Sequence, residues 1–181
     1  MTRWLIPALI FLGTFAASGW ITLNAIPGII MGKAMERIAG DGGGEARHAP
    51  RLTEDTQTIV RASPDMLYSV CAYDLSEGPR LVTVPWPADG NYASVSFYDA
   101  RTNNFEVISD RDSEAQSTAI ILAQWPEGGP VPGMLAGADL QANAPTRRGL
   151  ILYRRVIDAG TDLEAADAER QGFTCRSLSE G

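Results

Sequence analysis

Leu67-Tyr68-Ser69-Val70-Cys71-Ala72-Tyr73-Asp74-Leu75, then Ser76-Glu77-Gly78-Pro79, then Leu81-Val82-Thr83-Val84-Pro85-Trp86 is the stretch that decides the fold. A strand points successive side chains to opposite faces. The first run therefore sets Leu67, Cys71, Tyr73 and Leu75 on one side and Met66, Tyr68, Val70 and Ala72 on the other. Both sides are apolar enough to be buried, which predicts a central strand. Ser-Glu-Gly-Pro is turn chemistry. Beyond it Val82, Val84 and Trp86 alternate with Leu81, Thr83 and Pro85, so the two runs read as a hairpin. Pro85 and Pro87 cannot donate to a ladder and should end the second strand or hold it at an edge.

The same period continues toward the C-terminus. Ala88-Asp89-Gly90-Asn91 turns the chain into a third strand at residues 92–99, with Val95 and Phe97 against Tyr92, Ser94, Ser96 and Tyr98. Arg101-Thr102-Asn103-Asn104 turns again into residues 105–108. Two further strands are expected at 118–124 and 149–157. The Pro- and Gly-rich region 125–148 between them reads as a long loop. Thr161 and Glu164 match a capping box, which predicts a short helix ending near Gly172. Strands in hairpin-like succession without βαβ units argue for a mainly β fold: an antiparallel Ig-like β-sandwich with a short C-terminal helix.

Toward the N-terminus the pattern changes completely. No charged residue occurs from Trp4 to Gly32. A helix over residues 5–26 would measure about 33 Å, enough to cross a bilayer core. Pro7 fits a first turn, and Pro27-Gly28 is read as the stop. Residues 1–32 are thus expected to be a transmembrane anchor. The rival reading is a cleaved signal peptide, with Arg3 as its charged end and Ala16-Ala17-Ser18 near a cleavage point; the length favours the anchor. Met31, Met35 and Ile38 recur at helical spacing, as in a helix lying in the membrane interface or in a simple continuation of the anchor. Gly40-Asp41-Gly42-Gly43-Gly44-Glu45 lacks the Gly-Lys-Ser/Thr ending of a phosphate loop and reads as a tether. The expected division is anchor at 1–32, interfacial helix and tether at 33–47, and β-domain at 48–181.

Composition excludes several classes. In 181 residues the net charge is −7, so a nucleic-acid backbone would be repelled. Setting the N-terminal segments aside leaves roughly 130 residues, enough for one core. One histidine, His48, and two cysteines cannot furnish a four-ligand zinc site. His48, next to the tether, is expected to be a solvated loop imidazole. No Gly-x-Ser-x-Gly elbow is present. Asp110-Arg111-Asp112-Ser113-Glu114 alternates like a calcium loop, but Ala115 and Ile121 occupy its glycine and closing-glutamate positions, so a solvated acidic loop is the better reading. No metal or cofactor is expected. Cys71 has no activating neighbour in sequence; it is either a buried thiol or bridged to Cys175.

Three motifs in order, Arg61-Ala62-Ser63-Pro64-Asp65-Met66-Leu67-Tyr68-Ser69, Tyr73-Asp74-Leu75-Ser76-Glu77-Gly78-Pro79 and Tyr98-Asp99-Ala100-Arg101-Thr102-Asn103-Asn104-Phe105, resemble the bacterial family called domain of unknown function 1254. The stretch from Arg148-Gly149-Leu150 to Asp162-Leu163 fits as well. The resemblance covers about residues 48–175 and implies an Ig-like sandwich in an exported or membrane-bound setting. Long members open with Asn-Arg-Asp-Thr where this chain has Ser63-Pro64-Asp65-Met66, and they continue into a second domain of unknown function, 1214. This chain resembles the short, membrane-anchored members, with the second domain expected on a separate partner protein. The family supplies no catalytic residues to carry over.

The setting expected is the inner membrane, crossed once, with a periplasmic domain. The charge count disagrees: Lys33, Arg37 and Arg47 after the span outnumber Arg3 before it, which favours a cytoplasmic domain. The β-rich pattern and the cysteine pair favour export. Tyr98, Asp99, Arg101, Asn103 and Asn104 gather hydrogen-bonding groups at one strand end and are the candidate ligand or partner residues, although Asn and Asp also make turns by bonding their own backbone. Trp86 and Trp125 either cap the core or line a cleft, and capping is expected of both. The function expected is a non-catalytic envelope module that binds a partner protein or small ligand. The alternative is an envelope hydrolase of carbohydrate or lipid-like substrates, using acids such as Asp99 or Asp110 with tyrosines.

Overall fold

A computed structural model describes residues 4–39, 44–53, 63–126 and 138–178. A single helix α1 (Leu5–Ala39) precedes strands β1 (Arg47–His48), β2 (Met66–Asp74), β3 (Arg80–Pro85), β4 (Ala93–Asp99) and β5 (Asn104–Ser109). A 3₁₀ turn at Asp110–Asp112 leads to β6 (Ser117–Ala123), β7 (Leu140–Asn143), β8 (Arg148–Val156), helix α2 (Leu163–Arg170) and β9 (Thr174–Ser177). The fold is mainly β, with two sheets, one long apolar helix and one short one.

The strands divide into a sheet ordered β1-β2-β8-β4-β5 and another ordered β7-β6-β3-β9. All neighbours are antiparallel except β6 and β7, which are parallel. One core lies between the sheets: Cys71, Tyr73, Val95, Phe97, Ile151 and Tyr153 from the first meet Val82, Val84, Ile120, Leu122 and Cys175 from the second. Its polar atoms are engaged. Tyr153 Oη donates to the Pro85 carbonyl at 3.0 Å and Trp86 Nε1 donates to Thr118 Oγ1 at 2.7 Å. Cys71 on β2 and Cys175 on β9 form a disulfide between the two sheets, with Cα atoms 6.4 Å apart.

Several expectations are corrected here. The runs before and after Ser76–Pro79 do not form a hairpin: β2 pairs with β1 and β8, whereas β3 pairs with β6 and β9. Alternation marks which side chains face a core, and both sheets face the same core, so period alone cannot say which sheet a strand joins. The region read as loop contains β7, short and flush against β6; its residues 127–137 lie outside the described residues. The helix cap falls one residue later than expected. Asp162, not Thr161, accepts from the backbone N–H of Glu164 and Ala165, while Thr161 bonds to Asp158. His48 is not a solvated loop residue; it lies in β1, half-buried, with Nδ1 2.8 Å from Ser69 Oγ. Burial lowers its pKa, Arg170 lowers it further and Asp167 opposes.

The helix is also longer than expected. It runs through Pro27 and Gly28 to Ala39, so Pro27 costs one backbone bond without ending it. Met31 is only 4% exposed, and Met35 lines a cleft between this turn and the domain. The Gly-rich tether falls at Gly40–Gly43 outside the described residues; Gly44, at its end, is buried.

Gly149 on β8 shows how closely the first sheet is packed at this end. A Cβ there would lie 2.0 Å from the Tyr98 carbonyl and 2.5 Å from Tyr73 Oη. Gly149→Ala is therefore expected to destabilise the fold by about 2–4 kcal/mol, with strand movement, read as a lower denaturation midpoint. Replacing Cys71 and Cys175 together by Ser should cost about 2–4 kcal/mol, read as the same midpoint shift in oxidised protein; an unchanged midpoint would mean the bridge contributes nothing.

Candidate functional site at the helix–domain junction

One end of the first sheet brings together the β2–β3 turn, the β4–β5 turn, the start of β8 and the C-terminal half of α1. Strand phase puts Asp74 and Arg148 opposite one another in the ladder, and Arg148 Nε donates to Asp74 Oδ2 at 2.6 Å. Burial alone would raise the Asp74 pKa; bonds from the Ser76 side chain and backbone and from Arg148 outweigh it and hold it at about 2. Thr146 ties the next turns together: it receives the Ala100 N–H at 2.9 Å and donates to the Arg148 carbonyl at 2.7 Å.

The five residues singled out from sequence do lie together at this end, yet most of their bonding capacity is turned inward. Asp99 is buried; its Oδ1 accepts from the Arg101 and Asn103 backbones, each at 2.8 Å, and its Oδ2 accepts from Asn103 Nδ2 at 2.7 Å. That grip holds Thr102 in the left-handed region at φ 68°. Burial pushes the Asp99 pKa up, but bonds from the Asn103 side chain and backbone and from Arg101 pull it below the ordinary value. Tyr98 presents its backbone carbonyl to Tyr73 Oη at 3.2 Å; burial raises the Tyr73 phenol to about 12, with Thr146 lowering and Asp99 raising it. Asn104 is exposed and pairs with Tyr98 beside a bulge that turns Phe105 onto the core. Arg101 alone of the five reaches out of the turn, donating to Asn24 Oδ1 of α1 at 3.3 Å.

Beside this turn lies a cleft of about 440 Å³, between α1 and the end of the sheet. Its walls include Met35 and Glu36 of α1, Ala72 and Asp74 of β2, and Arg80 and Arg148. Sequence reading passed over Arg80. The signal was there: Arg80 sits two residues before Val82, in phase with Val82 and Val84, so strand alternation aims a cation at the core's end. A second, open cleft of about 700 Å³ is lined by Phe105, Trp125, Pro126 and Pro145 among others. Trp86 caps the core as expected, whereas Trp125 lines this cleft instead. The acidic 110–114 segment forms a capped 3₁₀ turn in which Asp112 accepts from the Ser109 backbone and hydroxyl. Among the described residues no group of His, Cys, Asp or Glu is arranged to hold a metal.

The family described as "Protein of unknown function (DUF1254)" matches this chain over residues 44–177. No curated protein matches it. Among solved structures, the VPA0106 protein from Vibrio parahaemolyticus superposes with a TM-score of 0.59 at 19% identity, covering 84% of this chain and 37% of that one. An uncharacterized protein from Burkholderia cenocepacia matches with a TM-score of 0.45 at 16% identity, covering 71% of this chain and 33% of that one. This chain thus spans about a third of the length of these solved relatives, and the first likeness extends to the fold alone.

Two outcomes separate scaffold from contact surface at this end. Asp99→Ala, which strands three donors, should cost about 2–3 kcal/mol in denaturant titration, whereas Arg101→Ala should stay within about 0.5 kcal/mol. The pH dependence follows from the depressed carboxyls. In Asp74, Asp89, Asp99 and Asp167, burial would raise the pKa, but hydrogen bonds and neighbouring arginines prevail and lower it. Their stabilisation is complete above an ordinary carboxyl value of 3.8 and is lost as pH falls through the folded values, down to about 2 for Asp74. A denaturation midpoint that held constant from neutral pH to below pH ~3 would contradict this.

Proposed function

The chain belongs to the DUF1254 family, and on that premise we propose that it is a membrane-anchored, non-catalytic module of the bacterial cell envelope that binds a partner protein or a small ligand at the junction of α1 and the β-domain. One observation carries this reading. The helix is long and apolar enough to cross a membrane, and none of its apolar window is buried against the domain. Trp4, Phe11, Phe15, Trp20 and Leu23 are each exposed, and from Asn24 onward the helix meets protein through Arg101 and Met31.

That division suggests the boundaries. Residues 5–23 rise about 28 Å, close to the thickness of a bilayer's hydrocarbon core. Asn24 would then stand at the polar boundary, its Nδ2 donating to the Trp20 carbonyl at 2.8 Å and its Oδ1 receiving Arg101. A helix docked on the domain favours an anchor over a leader that is cleaved away. The inter-sheet disulfide supports an oxidising compartment, hence the periplasmic face. Two sheets around one core with a cystine between them also suit an Ig-like sandwich. The spent carboxylates favour binding over hydrolysis: Asp99 and Asp112 are occupied by their own turns, and Asp110 accepts the Ala93 N–H at 3.2 Å. The partner we expect is a separate protein carrying a domain of unknown function 1214.

The test is fractionation of cells expressing the full chain with a tag at each end. Both tags should stay in membranes after alkaline washing, and the domain should be cut by protease added to spheroplasts. A freely soluble monomer, or loss of the N-terminal tag alone, would overturn the anchor.

A further inference from the structure

We infer that the cleft between α1 and the β2–β3 turn is a binding site for a small organic anion, a carboxylate or a phosphodiester, held by Arg80 and Arg148. The inference deepens the ligand-binding reading above and rests on it. Three arginines are buried in the described structure: Arg80, Arg155 and Arg170. Arg155 meets Asp89 at 3.0 Å and Glu169 at 3.3 Å, and Arg170 pairs with Asp167. Arg80, 8% exposed, has no carboxylate within ion-pair distance among the described residues. It has two carbonyls: Nε donates to Asp74 at 3.3 Å and Nη1 to Gly44 at 3.4 Å. Among the described residues, then, this buried cation meets only long bonds to neutral acceptors, and a buried charge without a facing anion is costly.

The surroundings favour a ligand as the missing anion. Arg80 lines the cleft, and its Nη2 is spent on no hydrogen bond among the described residues. Of the acids lining the cleft, Asp74 is paired with Arg148 at 2.6 Å and Glu36 with Lys33 at 2.7 Å, while Glu77 forms no ion pair with Arg80. Arg148 binds Asp74 through Nε and is the second arginine lining the same cleft. Gly44 makes the approach feasible: at φ +105°, a Cβ there would lie 2.5 Å from Arg80 Nη1. The volume, about 440 Å³, is that of a small-molecule site.

The walls also define the ligand. A guanidinium fork matches carboxylate and phosphate oxygens. Glu36 and Glu77 on the rim repel a multiply charged anion and would tolerate a single charge or a zwitterion, while Met35 and Ala72 offer apolar contact. The ligand class is therefore a singly charged or zwitterionic molecule with a short apolar part. It could arrive as a free solute or as the head of a lipid in the membrane that α1 enters.

The experiment uses the full chain in neutral detergent, with sodium hexanoate and glycerophosphoethanolamine as soluble probes and hexanol as the uncharged control. Calorimetric titration should show saturable binding of at least one soluble probe and none of hexanol. If the ligand is a lipid head, binding should appear instead as a thermal shift when phosphatidylcholine or phosphatidylglycerol is titrated into the detergent-held protein. Either effect should weaken roughly tenfold or more in Arg80→Gln. Should that variant not fold, Met35→Trp, which fills the cleft and leaves Arg80 in place, should abolish binding in the same way. Binding unaffected by both substitutions, or no binding in either arm, overturns the site. A null result with the chain still held in membranes removes this site alone; a chain that washes out of membranes removes the anchor instead.

Discussion

Strand β8 is the member on which the rest of the molecule depends. It is hydrogen-bonded on both sides, to β2 from Arg148 to Val156 and to β4 from Gly149 to Arg155. Its inward face carries Gly149, Ile151, Tyr153 and Arg155, all buried. Each does a different task set by its neighbours. Gly149 lets Tyr73 and Tyr98 close over the end of the sheet, Ile151 fills the core, and Tyr153 stacks on Phe173 at 5.5 Å. Arg155 draws Asp89 and Glu169 together and so fixes α2 beside the β3–β4 turn. A slip of one residue would reverse all four, burying Leu150, Leu152 and Arg154 in their place.

The two ends of the domain use arginine in opposite ways. At the α2 end, burial of Arg155 and Arg170 is compensated by carboxylates of the chain itself, as a structural ion network requires. At the α1 end Arg80 is held, among the described residues, by carbonyl oxygens only, beside an open cleft. The first arrangement holds a helix in place. The second places a cation on a cleft, at the same end where the chain meets its apolar helix through Asn24 and Met31. Helix docking, cleft and charge thus converge on one face, and a ligand there would touch both α1 and the domain.

What could be read from the chain was whatever depends on local period. Alternation located β2, β3, β4, β5, β6 and β8 within about two residues, because a half-buried strand writes its faces into the sequence. The long uncharged run located α1, and three ordered motifs pointed to the family that the match over residues 44–177 shows. The short strands β1, β7 and β9 left too little pattern to detect. The candidate turn was legible as a cluster of Asp and Asn, but its use was not: the same side chains bind a ligand or their own backbone, and only geometry showed Asp99 accepting three bonds from its own loop.

By itself, then, the sequence determined that an apolar helix precedes one small β-rich domain, since burial pattern and charge are properties of neighbouring residues. Tertiary structure decided which strands share a sheet, that Pro27 does not end the helix, that Cys71 meets Cys175, and that no carboxylate among the described residues pairs with Arg80. Those facts depend on residues far apart in the chain coming within a few ångströms, and no local period encodes such distances.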